Sequence, residues 1–207
     1  NLLVRHAGIG VSGDNDTISE QQCYEATGWG ILFPNQAESE RAIARANATN
    51  RIYFMATPGS GVNWGGLIIN GTPGSPETRI ANAHFEGNTA TCIEVAAGTV
   101  FLDHLTFGTT TQPYLALDGA SFVVQNCTFP TATAPLELVH GTGGIKSGGY
   151  GTFLRNFFGA ANGYNDVVDF TGGNRPGPII HFIDNVFIGS GDDLLDLDGT
   201  DAWVEGN

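Results

Sequence analysis

The sequence predicts an all-β solenoid, in which short strands repeat every 21–22 residues or so and stack turn on turn around one core. Three observations predict it. An apolar–x–apolar triplet recurs as Ile93-Glu94-Val95, Leu115-Ala116-Leu117, Leu136-Glu137-Leu138, Val168-Asp169-Phe170 and Leu195-Asp196-Leu197. A polar residue inside an apolar run recurs in "IANAHF", "LDHLTF", "VQNCTF", "LRNFF" and "IDNVFI", giving a column of Asn82, His104, Asn126, Asn156 and Asn185. The two landmarks hold phase with each other, and the extra residues fall at one corner. Both segments alternate apolar and polar, the period of a half-buried strand. Such strands cannot bury a face alone, whereas stacking them does.

The elements follow in order. Residues 1–36 show no placeable pattern. In "AESERAIARAN" (37–47) the spacing of Ala and Ile predicts a short helix, so residues 1–50 read as a segment capping the open end of the solenoid. Ile52, Tyr53 and Phe54 form the first strand of the rungs, which run over 51–207. "NWGGLIINGTPGS" (63–75) is an early rung entered at Trp64, as a packed core aromatic or a sugar-stacking platform. Asparagines recurring at one corner hydrogen-bond along the axis and satisfy inward polar groups. The chain begins without Met, shows no signal peptide and stops mid-rung, so further rungs and a C-terminal cap are expected beyond Asn207.

Composition bounds the partners. The 207 residues carry a net charge of −13, with Lys146 the single lysine. That balance excludes a basic footprint for nucleic acid and disfavours anionic membranes. No run of 18 apolar residues marks a membrane span. Cys23, Cys92 and Cys127 have no zinc spacing and read as buried thiols. Four Asn-x-Ser/Thr sequons (Asn15, Asn47, Asn70, Asn126) add little, since Asn126 belongs to the column and should be buried.

On the 21–22-residue rungs, the asparagine column and phrases such as "VQNCTF" and "IDNVFIGSGDD", residues 50–207 resemble the right-handed parallel β-helix proteins of the pectate-lyase-like superfamily. The resemblance implies that fold. Its members include polysaccharide lyases, glycoside hydrolases, esterases, epimerases, phage tailspikes and adhesins, so it does not by itself select an activity.

The triplet centres point outward and read Glu94, Ala116, Glu137, Asp169, Asp196, with Asp118 and Asp198 as a partial second row. Strands ~4.8 Å apart set carboxylates to repel by about 0.9 kcal/mol even in bulk water, which a cation, a proton or splaying must relieve. Glu137, Asp169, Asp196 and Asp198 are therefore the expected ligands of calcium, a hard cation taking several carboxylate oxygens. "LLDLDGTDAWVE" matches an EF-hand loop only superficially, because its first position is Leu194 and its flanks are strands. The insertions "HGTGGIKSGGYG" (140–151) and "TGGNRPGP" (171–178) are expected to wall the acidic face and to carry Lys146 and Arg175 to it. Glu94, Asp118 and Tyr150 are the expected sugar contacts.

Two functions follow as expectations. One is an extracellular or cell-surface module with an acidic, calcium-binding face, acting as a carbohydrate-directed surface, an adhesion module or a fibre-forming one. Its partner is an acidic polysaccharide or another surface glycan, with self-association through the rung ends. The other is a calcium-dependent polysaccharide lyase, in which Lys146, Arg175 or His140 removes the proton beside a uronate carboxyl. By resemblance, pectate lyases of this fold use calcium with Arg or Lys as base. A glycoside hydrolase using Asp169 with Asp196 stands third. His104 is expected to substitute in the amide ladder, and Arg155 to pair with Asp184.

Overall fold

The structure is a computed structural model and describes residues 3–4, 31–33, 51–56, 64–72 and 74–207, the first two stretches as backbone alone. The described residues are all-β, with no helix among them. Strands pair in parallel into a seven-stranded sheet and a twelve-stranded sheet. The larger sheet bends into two ladders. The hinge is the long strand Leu115–Gln125, whose register shifts between Asp118 and Ala120, with Gly119 between them at φ +53°. That conformation costs an L side chain 1–2 kcal/mol or so and costs glycine little. We call the seven-stranded sheet A, and the ladders before and after the bend B and C.

Chain order explains the pairing. Each pass of the chain lays one strand on C, one on A and one on B, then starts the next pass one strand further along. Thus Thr99–Asp103, Thr106–Phe107 and the first part of Leu115–Gln125 are followed by its second part, Thr128–Phe129 and Val139–Ile145. Then come Gly151–Leu154, Phe157–Phe158 and Val168–Phe170, and after them Ile180–Ile183, Val186–Phe187 and Leu195–Asp196, with Ala202–Glu205 last. This parallel, all-β arrangement is compatible with a parallel β-helix.

Alternation puts one set of side chains inside. Along ladder B, Ile93, Leu115, Val139 and Val168 stack in register and are fully buried. Sheet A contributes a file of rings: Phe54, Phe85, Phe107, Phe129, Phe158 and Phe187 lie with successive centroids 4.5, 5.6, 4.9, 4.7 and 4.8 Å apart. Parallel in-register pairing forces like residues over like, and offset stacking of the rings adds to their burial. Trp64 belongs to this core. It is 5% exposed, stacks on Phe54 and Phe85, and donates its indole N–H to the Glu86 carbonyl at 2.7 Å. Its sugar-platform reading is overturned by that burial. Cys92 and Cys127 are buried free thiols, and burial pushes the Cys127 thiol up to about 12.

The asparagine ladder exists at two of the expected positions, Asn156 and Asn185, and continues to Asn207, whereas Asn82, His104 and Asn126 stand one residue before its column. Asn185 accepts from the Asn156 backbone N–H and side-chain amide at 2.9 and 3.0 Å, and Asn207 accepts from Asn185 in the same way at 2.9 and 2.8 Å. On the earlier turns this inner column continues as Cys127, whose N–H donates to Asn156 Oδ1, and Leu105, whose N–H reaches Cys127 Sγ. Asn82, His104 and Asn126 stand in register with Arg155, Asp184 and Gly206, a neighbouring corner column held at φ near +53° except for Gly206 at +69°. Such a backbone turns the side chain outward. His104 is accordingly on the surface with Asp103, and Asn126 is half-exposed, bonded to Asp103 and to Arg155 Nε. Asn126 is therefore not buried, and Arg155 takes Asn126 rather than Asp184 as its partner.

Successive turns of this ladder are 22 residues long, except for two of 29. The surplus is not confined to one corner: most lies between ladders B and C, the rest between sheet A and ladder B. The expected helix over 37–47 lies outside the described residues. Before residue 51, Leu3–Val4 pairs with Ile52–Phe54 and Ile31–Phe33 with Leu67–Asn70.

Candidate functional site

The outward row of ladder B differs from its sequence reading at one position. Register runs Glu94, Ala116, His140, Asp169, Asp196. The strand of the middle turn is Val139-His140-Gly141, not Leu136-Glu137-Leu138. Gly141 holds the second apolar place because the Phe170 ring of the next turn fills the space its Cβ would need. Glu137 lies three residues earlier, at the corner entering the strand, between the buried Leu136 and Leu138.

The slip uncovers a second column. Glu137 precedes His140 by three residues, as Asp166 precedes Asp169 and Asp193 precedes Asp196. Leu138, Val167 and Leu194 stand in register through Leu138 N–H to Val167 O and Val168 N–H to Leu194 O. Glu137, Asp166 and Asp193 therefore form a corner column beside His140, Asp169 and Asp196. Five carboxylates and one imidazole occupy a two-by-three array on consecutive turns.

Within the array His140 is the junction. Its Nδ1 lies 2.7 Å from Glu137 Oε2 and 3.4 Å from Asp169 Oδ2. The three side chains are 27%, 42% and 22% exposed in the order Glu137, His140, Asp169, so the cluster is reachable from solvent. A ring nitrogen committed to Glu137 leaves Nε2 for a proton, a ligand or water. Glu137, His140 and Asp169 offer ligand atoms within 4.8 Å of one another, as do Asp166, Asp192 and Asp193. Asp193 N–H donates to Asp166 Oδ1 at 2.9 Å, which ties the two turns together at the corner.

Desolvation and charge crowding together show in the proton affinities. Burial, then the Glu137 charge, hold the Asp169 carboxyl above the usual carboxylate range, with Asp196 and Asp166 adding and His140 opposing. The Asp196 carboxyl is raised as well, by desolvation and then by Asp198 and Asp166. The exposed Tyr164 phenol is raised by its hydrogen bond to Asp192.

The remaining expected site residues are scattered. Glu94 is exposed two turns from His140, with Ala116 between. Asp118 accepts from the Thr142 hydroxyl at 3.4 Å, and the Asp198 position lies three turns on from Asp118. Among the described residues, Asp196 and Asp198 join no group of three ligands, so the four expected calcium ligands are not gathered into one cluster. Lys146 donates to the Thr72 carbonyl at 3.3 Å. Arg175 lines a pocket of about 350 Å³ with Tyr150, Thr152 and His181. This pocket sits at the corner between ladders B and C, with Thr152 and His181 on ladder C, and not on the acidic row.

His140 was visible in the sequence as a base candidate near Glu137, but its place in the row was not. Asp166 was missed, although the acid-x-x-row spacing recurs on three turns and would have found it. No protein-family model, no curated protein and no solved structure matches this chain.

Proposed function

We propose that the chain is a right-handed parallel β-helix of an extracellular or cell-surface protein, directed at an acidic glycan through a calcium-binding face. The two in-register columns Glu137/Asp166/Asp193 and His140/Asp169/Asp196 carry this reading. Asp169 and Asp196, whose proton affinity is raised first by desolvation and then by neighbouring carboxylates, favour a divalent cation, and calcium takes carboxylate oxygens in flexible number. Glu137 and Asp169 supply the central oxygens, and Asp196 and Asp198 extend the face one turn on. Imidazole is a poor calcium ligand, so His140 orients Glu137 rather than binding the ion. A bound cation leaves positions for the carboxylates of an acidic polysaccharide, and Glu94 and Asp118 lie further along the same face.

The test is a calorimetric calcium titration of the metal-stripped protein beside an Asp169→Asn/Asp196→Asn variant. Saturable binding lost in the variant supports the reading. Absence of heat from a protein shown to be folded by circular dichroism makes the array a solvated face.

One observation favours a second reading. His140 is held at Nδ1 by Glu137, which fits Nε2 for general-base work on the same face. In a β-elimination His140 Nε2 would take the proton beside a uronate carboxyl, a C=C bond forming as the bond to the glycosidic oxygen breaks, and a cation held by Glu137 and Asp169 would supply the charge that acidifies that proton. Lys146 and Arg175 are the less suited bases, one bonded to a carbonyl and the other at the pocket in the corner between ladders B and C. Incubation with uronate polymers reads this out as ultraviolet absorbance of the unsaturated product, to be lost in His140→Ala.

A further inference from the structure

The pocket on the outer side of the long corner between ladders B and C is distinct from the acidic array. It is lined by residues 149–152 of one turn and by Arg175, residues 177–179 and His181 of the next. Its volume of about 350 Å³ falls at the small end of ligand sites, the size of one ring rather than a polymer. Turns closed by Gly149 N–H to Lys146 O and Gly177 N–H to Asn174 O form its rims, and Asp201 fixes the second loop by accepting from the Arg175 backbone N–H at 2.8 Å.

Its donors are uncommitted. Among the described residues, the other cationic side chains are engaged inside the protein: Arg51 with Thr106, Arg79 with Glu77, Lys146 with Thr72 and Arg155 with Asn126. The Arg175 guanidinium makes no hydrogen bond or ion pair there, nor does the half-buried His181 ring make a hydrogen bond. In a chain of net charge −13, the exposed Arg175 guanidinium beside this pocket is left open to an anion from outside the chain. A planar fork of donors suits a carboxylate or an ester sulfate. The walls suit a ring: His181 stacks on Trp203 with centroids 6.5 Å apart, and Tyr150 is 40% exposed with its hydroxyl tied to Glu77. Burial and Glu77 push that phenol up to about 12, so it stays a neutral ring at physiological pH.

We propose that this pocket binds the acid group of a single charged sugar, carboxylated or sulfated. Arg175 pairs with the acid group, His181 and Thr152 hydrogen-bond the ring hydroxyls, and Tyr150 lies against the ring face. The sugar rests on the glycan-directed reading above, whereas the calcium site plays no part.

Calorimetry in EDTA keeps the two apart. Glucuronate, glucose 6-sulfate, glucose and acetate are titrated into the native chain and into Arg175→Gln and Asp169→Asn, each variant checked for native circular dichroism. One or both charged sugars should bind, glucose and acetate at least about tenfold more weakly. Arg175→Gln should lose about the same factor, and Asp169→Asn should leave binding unchanged. The stronger of the two charged sugars identifies the acid group. Glucose or acetate binding equally well, indifference to Arg175→Gln, dependence on Asp169, or no binding of either charged sugar each overturns the proposal, even where calcium binding by the acidic face is intact.

Discussion

Asp169 couples the acidic array to stability through its proton. Its folded carboxyl titrates above the ordinary value of about 3.9, because burial and Glu137 disfavour its charge. Between the ordinary and the raised value the folded chain binds more protons than the unfolded one, so stability falls as pH rises through that window. Asp169→Asn is therefore expected to raise the thermal midpoint at pH 7. The gain should vanish as the pH is lowered beneath the ordinary carboxylate value, read by scanning calorimetry across pH in EDTA. Asn185 works in the opposite sense. Its amide donates to Phe153 O and Asn207 and accepts twice from Asn156, all at 2.8–3.0 Å and with the side chain nearly buried. Asn185→Ala strands several of these groups, and a loss of roughly 1–3 kcal/mol is expected in urea unfolding. Asn126→Gly, by comparison, keeps the φ of +53° without strain and should cost less than Asn185→Ala. Asp169 and Asp196 were legible in the sequence, since each sits between two apolar neighbours that stack in the core. Asn126 was misread because it and Asn156 occupy similar phrases; only the φ of the corner separates the outward from the inward position.

At the scale of one strand, Gly141 decides the register of the site. A methyl group there would overlap the Phe170 ring, which is fully buried and has no room to retreat. Gly141→Ala is expected to destabilise the fold by about 1–3 kcal/mol, as overpacking does. It should also move His140 away from Glu137, seen as a changed imidazole shift in the NMR spectrum. The same glycine explains the misphased turn. Alternation is read from apolar side chains, and a strand that lends its inner place to a neighbour's ring shows no second apolar residue. Leu136 and Leu138 offered a better-looking triplet three residues early, and both are buried, but as corner residues. The two-strand periodicity was otherwise readable on every turn where the inner places are filled by their own side chains, from Ile93 and Val95 to Leu195 and Leu197. The corners were not, because their lengths are set by loop packing rather than by the repeat.

Across the molecule, the file of phenylalanines in sheet A makes position along the axis matter. Phe129 has a ring on each side and is fully buried, whereas Phe187 ends the file and is only partly buried. Phe129→Ala is expected to cost roughly 3–5 kcal/mol and Phe187→Ala distinctly less, measured as urea midpoints. A graded loss along the file would identify nearest-neighbour stacking as the source of cohesion, as it is in stacked-repeat folds. The faces are divided as sharply as the interior. Ladder B carries the stacked acids, and ladder C carries Arg79 over Phe101, then Val123, Thr152, His181 and Trp203 in one register.

The turns of 29 residues enter and leave the asparagine ladder in the same register as the turns of 22. Length is thus absorbed at the corners and never reaches the core. Gly148, at one such corner, faces open space at its missing side chain. A foreign peptide spliced in there would ride on the outside of the stack like a label on a spool, leaving the winding beneath it unaltered. Such a mounting point would lie at the corner between ladders B and C, beside the pocket that Gly149 lines.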